Sequence, residues 1–268
     1  MSIAAQAAAY WLGRMVNLDS DDNGRPVAVV TGGGTGIGRA VARKLAARGH
    51  DVLIVGRTDK TLEETKDGND AIHPLVADVT DEDGPSVIVS TALERFGRLD
   101  VLVNNAAVAE PRALGDLDAG SIDRQLAVNL RAPMLLTGQA VEPLAASRGV
   151  VVNLSSAGSL GRRGWPGFSV FGATKVGIDF LTRTWAVELA PLGIRVLAVA
   201  PGVIDRGPGG PMGATPRSTG GSWTRSRSRR RCGASAGPTR SRGGCPSSSG
   251  PRRPSSPGPC WWSTAGSA

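Results

Sequence analysis

Apolar and polar positions along this chain fall into two alternating patterns between residues 26 and 205. Short runs rich in β-branched and other apolar residues read as strands: Val27–Val30, Val52–Val55, Ile72–Val76, Val101–Val103, Val150–Leu154 and Arg195–Val199. Longer stretches with apolar residues at helical spacing lie between them. They predict helices over Gly36–Arg48, Val87–Phe96, Ile122–Ala146 and Phe171–Leu189, with a weaker one at Thr61–Lys66. Strands that are apolar on both sides and alternate with helices belong to a parallel sheet covered on both faces. Right-handed crossovers then wind the helices onto both sides and leave a ligand crevice at the C-terminal ends of the strands. The expected fold is a single α/β domain with a doubly wound parallel sheet.

Composition changes that picture only at the two ends. Residues 1–25 are Ala-rich and then acidic, and read as an extension with a short helix and a linker. Residues 206–268 contain no Val, Ile, Leu, Phe, Lys, Asp or Glu, and Gly, Pro, Ser and Arg dominate them. Such a segment cannot bury enough apolar surface to offset its ordering entropy, so it reads as disordered. The whole chain carries +8, yet the tail alone holds eleven Arg and no acid, so residues 1–205 are about −3. The basic character therefore belongs to the tail and gives the folded part no nucleic-acid or membrane partner. A basic nucleic-acid arm stays open for the tail alone. Cys232, Cys245 and Cys260 also lie there, without the paired spacing of a zinc site, so no metal is expected. No apolar run reaches membrane-span length, and the first residues lack a basic start followed by an apolar stretch. A cytoplasmic protein is expected.

The candidate chemistry starts where the first strand meets the first helix, at Thr31-Gly32-Gly33-Gly34-Thr35-Gly36-Ile37-Gly38. Glycines there let the chain turn tightly and approach a pyrophosphate, while the helix N-terminus offers free N–H groups to that anion. No Lys follows in P-loop register, which disfavours a nucleoside triphosphate. The pattern is that of a Rossmann-type dinucleotide site. An acid at the end of the second strand would bind a ribose 2′-hydroxyl, but this strand ends Val55-Gly56-Arg57. A guanidinium suits a 2′-phosphate and favours NADP(H) over NAD(H). The plainer alternative is that Arg57 is a solvated surface residue.

This loop, followed by Asp78, Asn104-Asn105-Ala106, Asn129, Ser156 and Lys175, resembles the short-chain dehydrogenase/reductase family over about Val27 to Asp205. The resemblance implies hydride transfer between a nicotinamide and a small carbonyl compound or secondary alcohol. It implies cofactor contacts from Thr31, Gly32, Gly34, Thr35, Gly36, Ile37 and Gly38, with Asp78 at the adenine. Asn104 and Ala106 would steady the fourth strand beside the cofactor, and Ala107 stands where the family usually has Gly. Pro201, Gly202 and Val203, with Ile204 after them, match the segment that reaches the nicotinamide carboxamide. The family's catalytic group is a Ser, a Tyr and a Lys, with an Asn that supports a proton-relay water. Asn129, Ser156 and Lys175 fall on three of those positions, and Lys175 would also hold the nicotinamide ribose.

The tyrosine position is Phe171, one helical turn before Lys175 on the same face. Phe has no proton to give, and the chain's one tyrosine, Tyr10, precedes the first strand. Three readings stand open. The chain is a working reductase with another acid, such as water held by Ser156 and Lys175; or a redox-silent NADP(H)-binding or regulatory protein; or a changed copy of a Tyr parent. His50 and His73 have no partner that suggests catalysis, and both read as structural or solvated.

The tail lacks the covering helix and the last strand that the resemblance implies. Taking each third base with the next two, and G or C at free positions, residues 231–243 read VRRVGRPDEVAG and residues from 257 read GAVLVVDGGL. Both strings resemble the family's C-terminal segments in the right order, so the tail is read as out-of-frame translation beginning between about Asp205 and Arg231. The domain would then lack its last strand. The family implies a homo-oligomer, and this tail does not supply its usual surface.

Overall fold

The computed structural model describes residues 24–160 and 165–202. Most of the N-terminal extension, Val203, Ile204 and the tail with its out-of-frame reading lie outside the described residues. The strands are β1 (Val27–Thr31), β2 (Asp51–Gly56), β3 (Ile72–Val76), β4 (Val101–Asn104), β5 (Val150–Leu154) and β6 (Arg195–Val199). They form one sheet in the order β3-β2-β1-β4-β5-β6, with every pair parallel. The expected doubly wound α/β domain is present, and among the described residues its sheet ends at β6.

The double apolarity of the strands explains how the layers close. β1, β4 and β5 are buried at every position. Alternate residues point to opposite faces. Val30, Ile54, Val103 and Val152 meet Ile37, Val41 and Leu45 of α1 (Gly36–Ala46) and Leu62 of α2 (Asp59–Lys66). On the other face Val29, Leu53, Leu102 and Val151 meet Ile88 and Ala92 of α3 (Gly84–Phe96) and Leu136, Ala140 and Leu144 of α5 (Ala132–Ala146). Pro74 sits within β3, where an edge strand tolerates a residue that cannot donate a ladder hydrogen bond.

Two helix boundaries differ from the expectation in an informative way. The helix expected over Ile122–Ala146 is three pieces: α4 (Ala119–Leu126), a π-helical turn at Ala127–Arg131, and α5. It begins earlier because Asp118 caps it, accepting from the Ser121 N–H at 2.8 Å. A π turn inserts one residue without breaking the apolar face, so periodicity passes over it. The helix expected at Val87 starts at Gly84, with Pro85 in its first turn, where the missing N–H costs nothing. The last helix, α6 (Ser169–Glu188), carries the motif residues Phe171 and Lys175.

Candidate active site

The glycine-rich loop joins β1 to α1 in the four residues Gly32 to Thr35. Gly32 has φ +63 and Gly36 φ +53, conformations that favour glycine. A Cβ on Gly38 would fall against the Gly32 carbonyl oxygen and the Asn105 side chain, so α1 packs this close to the loop only because residue 38 is glycine. Thr35 is extended and makes no side-chain cap, which leaves the first N–H groups of α1 facing out of the loop.

Thr31, from the expected set, and Asn105 and Arg39, outside it, hold that loop in shape. Thr31 Oγ1 donates to Val103 O at 3.2 Å and accepts from the N–H groups of Asn105 and Ala106, both at 3.0 Å. Asn105 Nδ2 donates to Thr31 O at 2.7 Å and Gly32 O at 3.2 Å. Arg39 donates to Gly34 O at 2.6 Å and pairs with Glu64 at 3.0 Å, tying the loop to α2. Sequence reasoning passed over Arg39 and assigned no role to Asn105. Ile37 is buried in the core, and Asn104 is turned inward, donating to Thr137 Oγ1 at 3.1 Å and Asn153 Oδ1 at 2.9 Å. The side chain of Asn104 therefore braces β4 against its neighbours rather than facing the cleft.

Beside the loop lies a cleft of about 250 Å³ whose walls include Gly34, Thr35, Arg57, Asp78, Ala106 and Val128. Arg57 follows β2 directly and its side chain is 70% exposed, with Nη1 3.7 Å from Asp78 Oδ2. Asp78 Oδ1 accepts from the Thr80 N–H at 2.9 Å and the Thr80 hydroxyl at 2.8 Å, which fixes the carboxylate at the cleft edge.

A second cavity, of about 210 Å³, is lined by Ser156, Ser159, Trp165, Phe168, Phe171 and Lys175 among others. The fold thus brings together Ser156 at the end of β5 and Phe171 and Lys175 from the first half of α6. Ser156 Oγ accepts from the Gly158 N–H at 3.3 Å. Lys175 is buried; its Nζ donates to Leu154 O at 2.6 Å and stands 5.6 Å from the Phe171 ring centre. Phe171 meets Phe168 edge to face at 6.3 Å. Asn129, on the π turn, is buried and binds at both ends of its amide. Its Oδ1 accepts from Val108 N–H at 2.9 Å, and its Nδ2 donates to Val108 O at 2.8 Å and Thr174 Oγ1 at 3.1 Å. Pro201 O accepts from Ala157 N–H at 2.9 Å, which lays the chain after β6 against the Ser156 turn, and Gly202 follows it. His50 and His73 lie outside the residues lining either cavity; His73 Nε2 is 3.5 Å from Asp51 Oδ1. Among the described residues no helix is long and apolar enough to cross a membrane.

This architecture matches known proteins along most of its length. A family model described as short chain dehydrogenase matches residues 26–210. The chain is 42% identical over 184 residues to cis-4-hydroxycyclohexanecarboxylate dehydrogenase of Sinomonas cyclohexanicum, covering 67% of this chain and 73% of that one. It is 35% identical over 184 residues to 3-oxoacyl-acyl-carrier-protein reductase of Thermotoga maritima, covering 67% and 74%. Among solved structures, 3-ketoacyl-acyl-carrier-protein reductase of Brucella melitensis complexed with NADH superposes with a TM-score of 0.64 at 32% identity, over 67% of this chain and 75% of that one. A short-chain dehydrogenase/reductase of Caenorhabditis elegans with cofactor gives 0.68 at 36% identity, over 73% and 76%. With the six-stranded sheet, the glycine loop and the Ser156–Lys175 cavity in place, the chain belongs to the short-chain dehydrogenase/reductase family of NAD(P)-dependent oxidoreductases.

Proposed function

We propose that the chain binds NADP(H) in the glycine-loop cleft and transfers hydride between the nicotinamide and a small carbonyl compound or secondary alcohol, without a tyrosine proton. The observation that carries this is the gathering of Ser156, Phe171 and Lys175 around one cavity.

The residues present fit a dinucleotide. The uncapped N-terminus of α1 and the glycine-only backbone beneath it suit a pyrophosphate. Arg57, exposed at the cleft edge where the fold would otherwise place a ribose-binding acid, suits a 2′-phosphate. Asp78 stands beside it for the adenine, and Lys175, Pro201, Gly202 and Val203 are the residues for the nicotinamide ribose and carboxamide. When bound, the nicotinamide supplies or receives the hydride. Ser156 holds the substrate oxygen by its hydroxyl, Lys175 brings a cation to the same cavity, and Phe171 excludes water without exchanging a proton.

Paired titrations with NADPH and NADH, followed by carbonyl reduction, test this on the chain and on Phe171→Tyr. Tight NADPH binding by both chains is expected, with measurable turnover by the first and a rate roughly 10²–10⁴-fold higher in the tyrosine variant, the usual worth of a positioned general acid. Binding with turnover only in Phe171→Tyr would instead identify a redox-silent NADP(H)-binding protein. No NADPH binding by either would overturn the cofactor assignment.

A further inference from the structure

The stripe of α6 that carries Phe171 and Lys175 continues to Asp179, each four residues after the last. Asp179 is half-buried, and Ser159 Oγ donates to its Oδ2 at 2.5 Å. Ser159 Oγ also donates to Ser156 O at 2.6 Å and lies 3.1 Å from Ser155 Oγ. Ser159 lines the same cavity as Ser156 and Lys175. Its single hydroxyl proton therefore has two acceptors, a backbone carbonyl and a carboxylate, and the hydroxyl passes from one to the other by rotating.

We propose that Ser159 and Asp179 form a proton relay that serves alcohol oxidation in place of the tyrosine. Ser159 is the catalytic residue that touches the substrate hydroxyl, and Asp179 acts through it. The inference rests on the reading of this cavity as the substrate site. The substrate O–H bond breaks and its proton goes to Ser159 Oγ, while the proton already on Ser159 passes to Asp179 Oδ2. The electron pair of the substrate C–H bond leaves as hydride for the oxidised nicotinamide, and the C=O bond forms. Asp179 returns its proton to water. A carboxylate that begins the step charged ends it neutral, which suits a base used in oxidation. Phe171 lines the same cavity as Ser159 and adds an apolar surface to it.

The test uses a panel of open-chain, alicyclic and benzylic secondary alcohols, with NADP⁺ binding followed by calorimetry. The alcohol that Phe171→Tyr oxidises best is the one used throughout. Oxidation by the unaltered chain is expected, with kcat roughly 10²-fold lower in Ser159→Ala and in Asp179→Ala at unchanged NADP⁺ affinity and thermal midpoint. Ser159→Thr, which keeps a hydroxyl, should retain most of the rate. Added formate should restore Asp179→Ala and leave Ser159→Ala as it was, because formate replaces a carboxylate base and not a lost hydroxyl. The relay is overturned if Ser159→Ala runs at the unaltered rate. It is equally overturned if formate fails to rescue a stable Asp179→Ala, which would make the pair a structural clamp. Turnover by Phe171→Tyr alone also overturns it. Failure of NADP⁺ to bind, or binding without oxidation of any alcohol by Phe171→Tyr, removes the underlying site assignment and the relay with it, and calorimetry separates those two cases.

Discussion

Phe171 occupies its place as a ring and not as a donor. Its face receives the Lys175 ammonium at 5.6 Å, and it meets Phe168 edge to face. The packing of a tyrosine differs by one oxygen at the cavity, so the fold holds either residue while the chemistry separates them. Arg57 offers a second test at this scale. Charge-assisted hydrogen bonds contribute about 1.5–3 kcal/mol, so Arg57→Asp should weaken NADPH binding by roughly 10- to 100-fold and leave NADH binding equal or improved. Equal losses for both nucleotides in paired titrations would remove Arg57 from the 2′-phosphate. Ser156, Lys175 and Asn129 were readable because a motif fixes their spacing. Asn105, Arg39 and Ser159 were not, because each works through a backbone carbonyl or a partner on another element, and nothing in local spacing marks such a bond.

Among the elements, the π turn at Ala127–Arg131 sets the position of Asn129, whose amide clamps the Val108 backbone at both ends. The loop that follows β4 is thereby fixed to the α4–α5 unit and, through Thr174, to α6. The same loop is fastened farther along by Glu110, which takes a two-pronged bond from Arg124 at 3.0 and 2.8 Å. Hydrogen bonding from Arg124, then from Ser121, holds the Glu110 carboxyl down at about 2 from the usual 4.5. Between those values the unfolded chain binds a proton that the folded chain refuses, so the contribution is present above about 4.5 and is lost as pH falls toward about 2. Glu110→Gln should flatten the acid limb of loop protection in hydrogen exchange, and high salt should shrink the difference, since the pair faces water. An unchanged limb would mean that the fork does not hold the loop. Helix existence was legible from the apolar faces. The π insertion was not, because one added residue leaves the face continuous on both sides.

For the molecule as a whole, the alternation of strands and helices carried the fold class but not the strand order, since doubly apolar strands that alternate with helices fit a covered parallel sheet. What that pattern could not show is the state of His50, just before β2. It is 4% exposed, and neither ring nitrogen has a hydrogen-bond partner among the described residues. Burial, the largest influence, pushes its pKa below the ordinary 6.5, against the charge of Asp100. The unfolded chain therefore takes up a proton first, and stability declines as pH drops below 6.5. In His50→Leu the urea midpoint should fall less steeply on this interval than in the unaltered chain. Parallel slopes would assign the decline to other groups.

The two margins of the sheet are unlike. At β3 the proline at position 74 removes a donor from the outermost row, which hinders another strand from adding there. At β6 the five residues from Arg195 to Val199 contain no proline, and among the described residues they have one ladder neighbour, β5. The sheet is thus directional as a template. Among the described residues β6 is therefore the margin at which a further strand, of this chain or of another, can pair, and a strand added there lies away from the glycine-loop cleft beside β1 and β2.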